Sequence, residues 1–248
     1  MGTLHPNFIV GIGGSAGALN AYKALLEALP SNTGMAFIIV SHIHPAAHSY
    51  LSQILSRHTQ MPVMLAATAM PIEANHVYVI PANADLTIES HAFKIDSPRM
   101  RRNNQIDLLF VSLAEAMGAR AIGIVLSGYG GGGTEGCKHI KTKGGTTFAQ
   151  DSSAEVNDMP LHAQASGYVD FVRPPKEIAD ELTKIGARFV QDESLGTYRN
   201  RTDNTFDQQN KTVEDKQIAS FKPNIERIFK MFADVINAHF QRFDVRLD

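Results

Sequence analysis

Gly13-Gly14-Ser15-Ala16-Gly17 places one hydroxyl among small residues, directly after the apolar run Phe8–Ile12. A helical pattern follows at once, with Leu19, Tyr22, Leu25, Leu26 and Leu29 at helix spacing. A serine at a tight strand-to-helix turn stands clear of the sheet, and small neighbours let a substrate come close. Gly13-x-Ser15-x-Gly17 has the pattern of a nucleophile elbow, which points to acyl transfer through a serine ester. Two other readings fit the same residues. A glycine-rich turn packing a helix on a sheet accounts for them equally well. Gly11-x-Gly13-x-x-Ala16 is also a loose dinucleotide fingerprint, but that site wants an acid at the end of the second strand. Here Met35–Val40 runs into Ser41 and His42.

A serine hydroxyl is a poor nucleophile until a base takes its proton. His42, at the end of the second apolar run, is the best candidate, and His44 and His48 follow closely. His42-x-His44 with His48 also reads as a metal set. Zinc needs further firm ligands, and no nearby cysteine or paired carboxylate supplies them. No metal and no cofactor are therefore expected.

The run Leu126-Ser127-Gly128-Tyr129-Gly130-Gly131-Gly132-Gly133-Thr134-Glu135-Gly136 lies between an apolar strand and a helix. Such a loop can turn several backbone N–H groups toward an anion, either a tetrahedral oxyanion or a phosphoryl group. A phosphate-binding Walker loop would close on Gly-Lys-Ser/Thr, and Gly133-Thr134-Glu135 lacks the lysine. A flexible exposed loop also fits.

Elements that would position these residues alternate along 8–186. Strands are expected at Phe8–Ile12, Met35–Val40, Val63–Ala66, His76–Ile80, Ala121–Leu126, Thr146–Ala149 and Tyr168–Val172. Helices are expected at 18–29, 47–58, Ile106–Met117, Thr134–Lys143, Met159–Ala165 and Lys176–Ile185. Leu86–Ile88 and Ala92–Ile95 read as a hairpin. The alternation predicts an α/β fold: a doubly wound, mostly parallel sheet with helices on both faces and a small antiparallel hairpin. Active sites in such sheets lie at the carboxyl ends of the strands, where Ser15, His42 and the 127–133 loop all fall.

The 248 residues are 44% hydrophobic, with a formal charge of -2. That balance makes no electrostatic case for nucleic acid or a membrane surface. One cysteine, Cys137, excludes a disulfide framework and favours a reducing, cytoplasmic setting. No signal-peptide pattern opens the chain, and no apolar stretch nears the roughly 18 residues that span a bilayer. Residues 191–217 are polar and read as a solvated linker. After Pro223 an amphipathic helix within 218–248 is expected, with Ile225, Ile228, Phe229, Phe232, Val235, Ile236, Phe240 and Phe243 on one stripe.

Taken in order, these segments resemble the catalytic domain of the CheB-type chemotaxis protein-glutamate methylesterases, over about 7–187. Gly11–Gly17 resembles the family's nucleophile segment, and Ser41-His42-Ile43-His44-Pro45 its histidine segment. Val77-Tyr78-Val79-Ile80-Pro81-Ala82, Ile106-Asp107-Leu108-Leu109-Phe110, Gly144–Asp151 and Met159-Pro160 resemble further signatures. The resemblance implies hydrolysis of glutamate methyl esters on the cytoplasmic region of chemoreceptors, and in many members glutamine deamidation. It implies Ser15 as nucleophile and His42 as base, with N–H groups near Ala16, Tyr129 and Gly130 for the oxyanion.

Three departures stand out. The family loop reads Gly-x-Gly-x-Asp-Gly, and its aspartate orients the histidine. Gly132 stands at that aspartate's position, so impaired catalysis is expected. Glu135 and Asp158 are nearby acids but lie off the motif position. A non-catalytic binding module of the same fold is the alternative. The family's N-terminal receiver domain is not expected ahead of residue 7. The 191–248 segment resembles the start of a fusion to a methyltransferase.

Overall fold

The computed structural model describes residues 5–41, 50–100 and 104–194, with side chains through Gln191. The chain divides after Val190. What precedes that point is an α/β unit on seven parallel strands. In chain order these are β1 (Phe8–Gly14), β2 (Met35–Ser41), β3 (Val63–Leu65), β4 (His76–Val79), then β7 (Ala121–Val125), β8 (Thr146–Gln150) and β9 (Phe171–Arg173). Their spatial order is β3-β4-β2-β1-β7-β8-β9, and every neighbouring pair is parallel. β5 (Asp85–Glu89) and β6 (Ala92–Asp96) form the separate antiparallel hairpin. Its two-residue turn, Ser90 and His91, has positive φ at both positions, the twist that a tight hairpin favours.

β1 is buried along its whole length, and β7 likewise. Strands covered on both faces read as continuous apolar runs, which is why the central ones are visible in the sequence. Glycines show where the cover lies. A Cβ on Gly11 would come 2.9 Å from Phe110, and one on Gly13 would strike Ile106. Both partners belong to α3 (Gln105–Met117). Gly14 points the other way, where a Cβ would strike Tyr22 and Ala18 of α1 (Ala18–Ala28). α1 and α3 therefore cover opposite faces of β1. Ile106, Leu109, Phe110, Leu113 and Met117, the predicted stripe of α3, are all buried.

The remaining helices are α2 (Leu51–Leu55), α4 (Thr134–Thr142), α5 (Asp158–Ala165) and α6 (Pro175–Ser194). The expected helix over 47–58 is seen only as α2, because Ser56 to His58 form a turn and 47–49 lie outside the described residues. The last strand begins at Phe171 rather than Tyr168. The Tyr168 carbonyl accepts the Thr147 hydroxyl (2.6 Å), and Asp170 Oδ2 accepts the Thr147 N–H (2.9 Å). Side-chain bonds there stand beside a single backbone bond, from Asp170 N–H to the Thr147 carbonyl (3.1 Å). α6 runs past the expected Ile185, and its Phe189 packs edge-on against Phe8 at 5.2 Å. The expected linker and terminal helix, 191–217 and 218–248, lie almost wholly outside the described residues.

Candidate active site

β1 delivers Ser15 to the carboxyl edge of the sheet. Gly14 pairs with Ser41, so β1 and β2 end at the same level. His42, His44 and His48, which follow Ser41 in the chain, lie outside the described residues. Ser41 itself is half-buried, beside the Tyr22 hydroxyl, whose pKa burial pushes up.

On the other side, the β1 and β7 chains stay hydrogen-bonded beyond the sheet. Leu126 N–H donates to the Gly13 carbonyl (2.8 Å), and Ser15 N–H to the Ser127 carbonyl (2.8 Å). The Ser15 turn and the glycine loop are thus side by side. Ser15, Ala16 and Gly17 are half-buried. The turn differs from a strained elbow in one respect. Ser15 does not have positive φ; the left-handed residue is Gly17, at φ 72, which precedes α1. There a Cβ would lie 2.7 Å from Glu155 Cβ and 2.8 Å from Ser127 Oγ, so glycine is required twice over. α1 has no acidic residue in its first turn and no side-chain cap. The N–H groups of Ala16 and Gly17 have no hydrogen-bond partner among the described residues.

Ser127 ties this turn to its surroundings. It is fully buried. Its hydroxyl donates to the Ala16 carbonyl (2.8 Å) and accepts the Val156 N–H (2.9 Å). Its own N–H donates to Gln150 Oε1 (3.1 Å). Gly128 exchanges bonds with the next loop, its N–H donating to the Val156 carbonyl and its carbonyl accepting the Met159 N–H, both at 2.9 Å. A Cβ on Gly128 would strike Met159 Sδ and stand 3.0 Å from Ser15 Cβ. Ser127, Gln150, Val156 and Met159 therefore form the wall behind Ser15. The sequence signal for Ser127 was its place as the one polar residue between an apolar strand and a glycine run.

The loop then opens. Tyr129 is 69% exposed, and a Cβ on Gly130, at φ 81, would meet nothing within 4 Å. Gly131 faces only the His162 ring, at 3.7 Å. Gly133, at φ 88, closes the loop, and a Cβ there would come 2.9 Å from Ile106. Gly132, between them, is half-buried and its φ is not positive, so its backbone accepts an L side chain such as aspartate.

The nearby acids are engaged or exposed. Glu135 faces Lys138 (3.4 Å) and His139 (3.5 Å) on α4. Asp107 Oδ1 accepts the Gly136 N–H (2.8 Å) and so caps α4 from α3. Asp158 is exposed, and its carbonyl bonds to His162 Nδ1 (2.8 Å). Burial, then the charges of Asp107 and Asp170, push the Cys137 thiol up to about 12, which leaves it protonated and unreactive. Among the described residues no three His, Cys, Asp or Glu side chains group as metal ligands.

A serine turn and a glycine loop, adjacent at the carboxyl edge of an open parallel sheet, place this domain in the class of hydrolases built on α/β sheets. The comparisons make the family specific. The CheB methylesterase family pattern matches residues 10–182, and the chain belongs to that family. A putative protein-glutamate methylesterase/protein-glutamine glutaminase of Leptospira interrogans is 34% identical over 178 residues, 70% of this chain and 92% of the relative. Protein-glutamate methylesterase/protein-glutamine glutaminase 2 of Burkholderia pseudomallei is 33% identical over 191 residues. That match covers 75% of this chain and 55% of the relative, so the chain spans about half of its length. The crystal structure of the Thermotoga maritima CheB methylesterase catalytic domain superposes with a TM-score of 0.66 at 27% identity, covering 72% of this chain and 98% of that domain. Among the described residues no helix is long and apolar enough to cross a membrane.

Proposed function

We propose that this domain hydrolyses glutamate methyl esters on the cytoplasmic region of chemoreceptors, and that Gly132 leaves it with little of that activity. The observation that carries the reading is the Ser15 turn. The backbone N–H of half-buried Ser15 is anchored to the Ser127 carbonyl, beside two N–H groups without a partner among the described residues, in a chain of the methylesterase family. Ser15 Oγ attacks the ester carbonyl while His42 takes its proton. The oxyanion is held by N–H groups of the Ala16 turn and of Tyr129-Gly130. The tetrahedral intermediate collapses, the C–O bond to methoxide breaks, and His42 returns the proton so that methanol leaves. Water, deprotonated by His42, then cleaves the acyl-serine to release the glutamate carboxylate and restore Ser15. On a glutamine side chain the same steps release ammonia.

An aspartate at 132 would fix the His42 tautomer and stabilise the imidazolium. Neutralising that acid in a serine triad lowers kcat by about 10⁴. Gly132 brings no carboxylate, and Glu135 is already paired on α4. This favours a second reading, in which the domain binds a receptor segment without turning it over. The linker expected at 191–217 and the helix expected within 218–248 would suit a connection to a methyltransferase module under either reading.

Substrate choice tests the proposal. In a Gly132→Asp chain, kcat/KM for a methylated receptor fragment should exceed that for a simple p-nitrophenyl ester. Equal or better use of the simple ester would assign the site to another small ester.

A further inference from the structure

We propose that Ser127 is a positioning residue for the Ser15 reaction: its hydroxyl holds the Ala16–Gly17 peptide so that the turn's N–H groups face the reacting oxygen. The inference rests on the serine-nucleophile reading and adds a residue to it.

Ser127 is fully buried, and both capacities of its hydroxyl that reach protein are used: donation to the Ala16 carbonyl at 2.8 Å and acceptance from the Val156 N–H at 2.9 Å. Its rotation is therefore fixed. A trans peptide is planar, with its C=O and N–H directed oppositely. Holding the Ala16 carbonyl toward Ser127 sends the Gly17 N–H away from it, and that N–H has no partner among the described residues. Ser15 cannot offer its own N–H, since the Ser127 carbonyl already accepts it. The donors left at the turn are Ala16 and Gly17, and the Ser127 hydroxyl sets the plane between them. The restraint matters because Gly17, at φ 72, tolerates either orientation of that peptide. An alanine at 127 would keep the serine's backbone bonds and most of its volume. It would release the Ala16 carbonyl and remove the acceptor of the half-buried Val156 N–H.

The test uses the Gly132→Asp chain, with Ser127→Ala and Ser127→Thr added singly. Phosphonylation of Ser15 by a fluorophosphonate is the first readout: the Oγ–P bond forms, P–F breaks, fluoride leaves and the serine proton passes to His42. Methanol release from a methylated receptor fragment is the second. Loss of one oxyanion donor costs about 10²–10³ in kcat, so a misaimed one is expected to cost on the order of 10–100-fold. Ser127→Ala should slow labelling and lower kcat by that factor, with KM within about twofold. Ser127→Thr, which keeps the hydroxyl, should return both. Labelling of Ser127→Ala at the parent rate overturns the proposal. So does an equal loss in Ser127→Thr, or a loss that tracks the fraction of unfolded protein in a melting curve. Normal labelling without methanol release instead removes the methylesterase reading and leaves the role of Ser127 intact. An unlabelled Ser15 in the parent removes both.

Discussion

The two halves of the site are built in opposite ways. Around Ser127 nearly every polar group is committed, with bonds to Ser15, Ala16, Gln150 and Val156. From Tyr129 to Gly132 the loop is exposed or half-buried, and a side chain at 130 or 131 would meet little or nothing. The saturated half holds Ser15, the proposed nucleophile, and its geometry is tied to folding itself. The open half carries position 132, the proposed place of the missing carboxylate. The hydrogen bonds that hold the Ser15 turn use no group from position 132.

Substitution at the paired glycines should expose the contrast. Gly17→Ala puts a Cβ against Glu155 and Ser127 in a left-handed backbone. The left-handed conformation costs roughly 1–2 kcal/mol and the overpacking about as much again. About 3 kcal/mol in total should lower Tm by about 6–12 °C in a unit of this size, read by calorimetry. A Tm within about two degrees of the parent would mean that the wall behind Ser15 is looser than the hydrogen bonds indicate. Gly131→Ala should do almost nothing. Its φ is not positive and its Cβ meets the His162 ring at an ordinary 3.7 Å. Its stability should stay within about 0.5 kcal/mol of the parent, or rise slightly as the unfolded chain loses freedom. A large loss there would show that the loop is held as firmly as the turn.

Much of this was legible in the sequence, for physical reasons that differ along the chain. The central strands stood out because burial on both faces demands unbroken apolar runs, as in Ala121–Val125. The α3 stripe stood out because one face of it covers the glycines of β1. The edges were harder. β9 starts late because Thr147 and Asp170 bond through side chains, which no periodicity reveals. α6 extends because Phe189 meets Phe8, a contact between opposite ends of the domain. At the site, Ser15 and the glycine loop were visible as types at a spacing. The role of Ser127 was not, because its hydrogen bonds run to segments far away in the chain. The left-handed residue at Gly17, rather than at Ser15, was equally hidden.

The central claim is that one missing carboxylate separates this domain from an active methylesterase. Its most direct test is methanol release from a methylated receptor fragment by this chain, by Gly132→Asp, and by Gly132→Asp with Ser15→Ala. Gly132→Asp should raise kcat by on the order of 10³–10⁴, the size of the triad acid's contribution, and Ser15→Ala should abolish the gain. A folded Gly132→Asp chain that binds the fragment and still releases no methanol would contradict the claim and leave a binding module in its place.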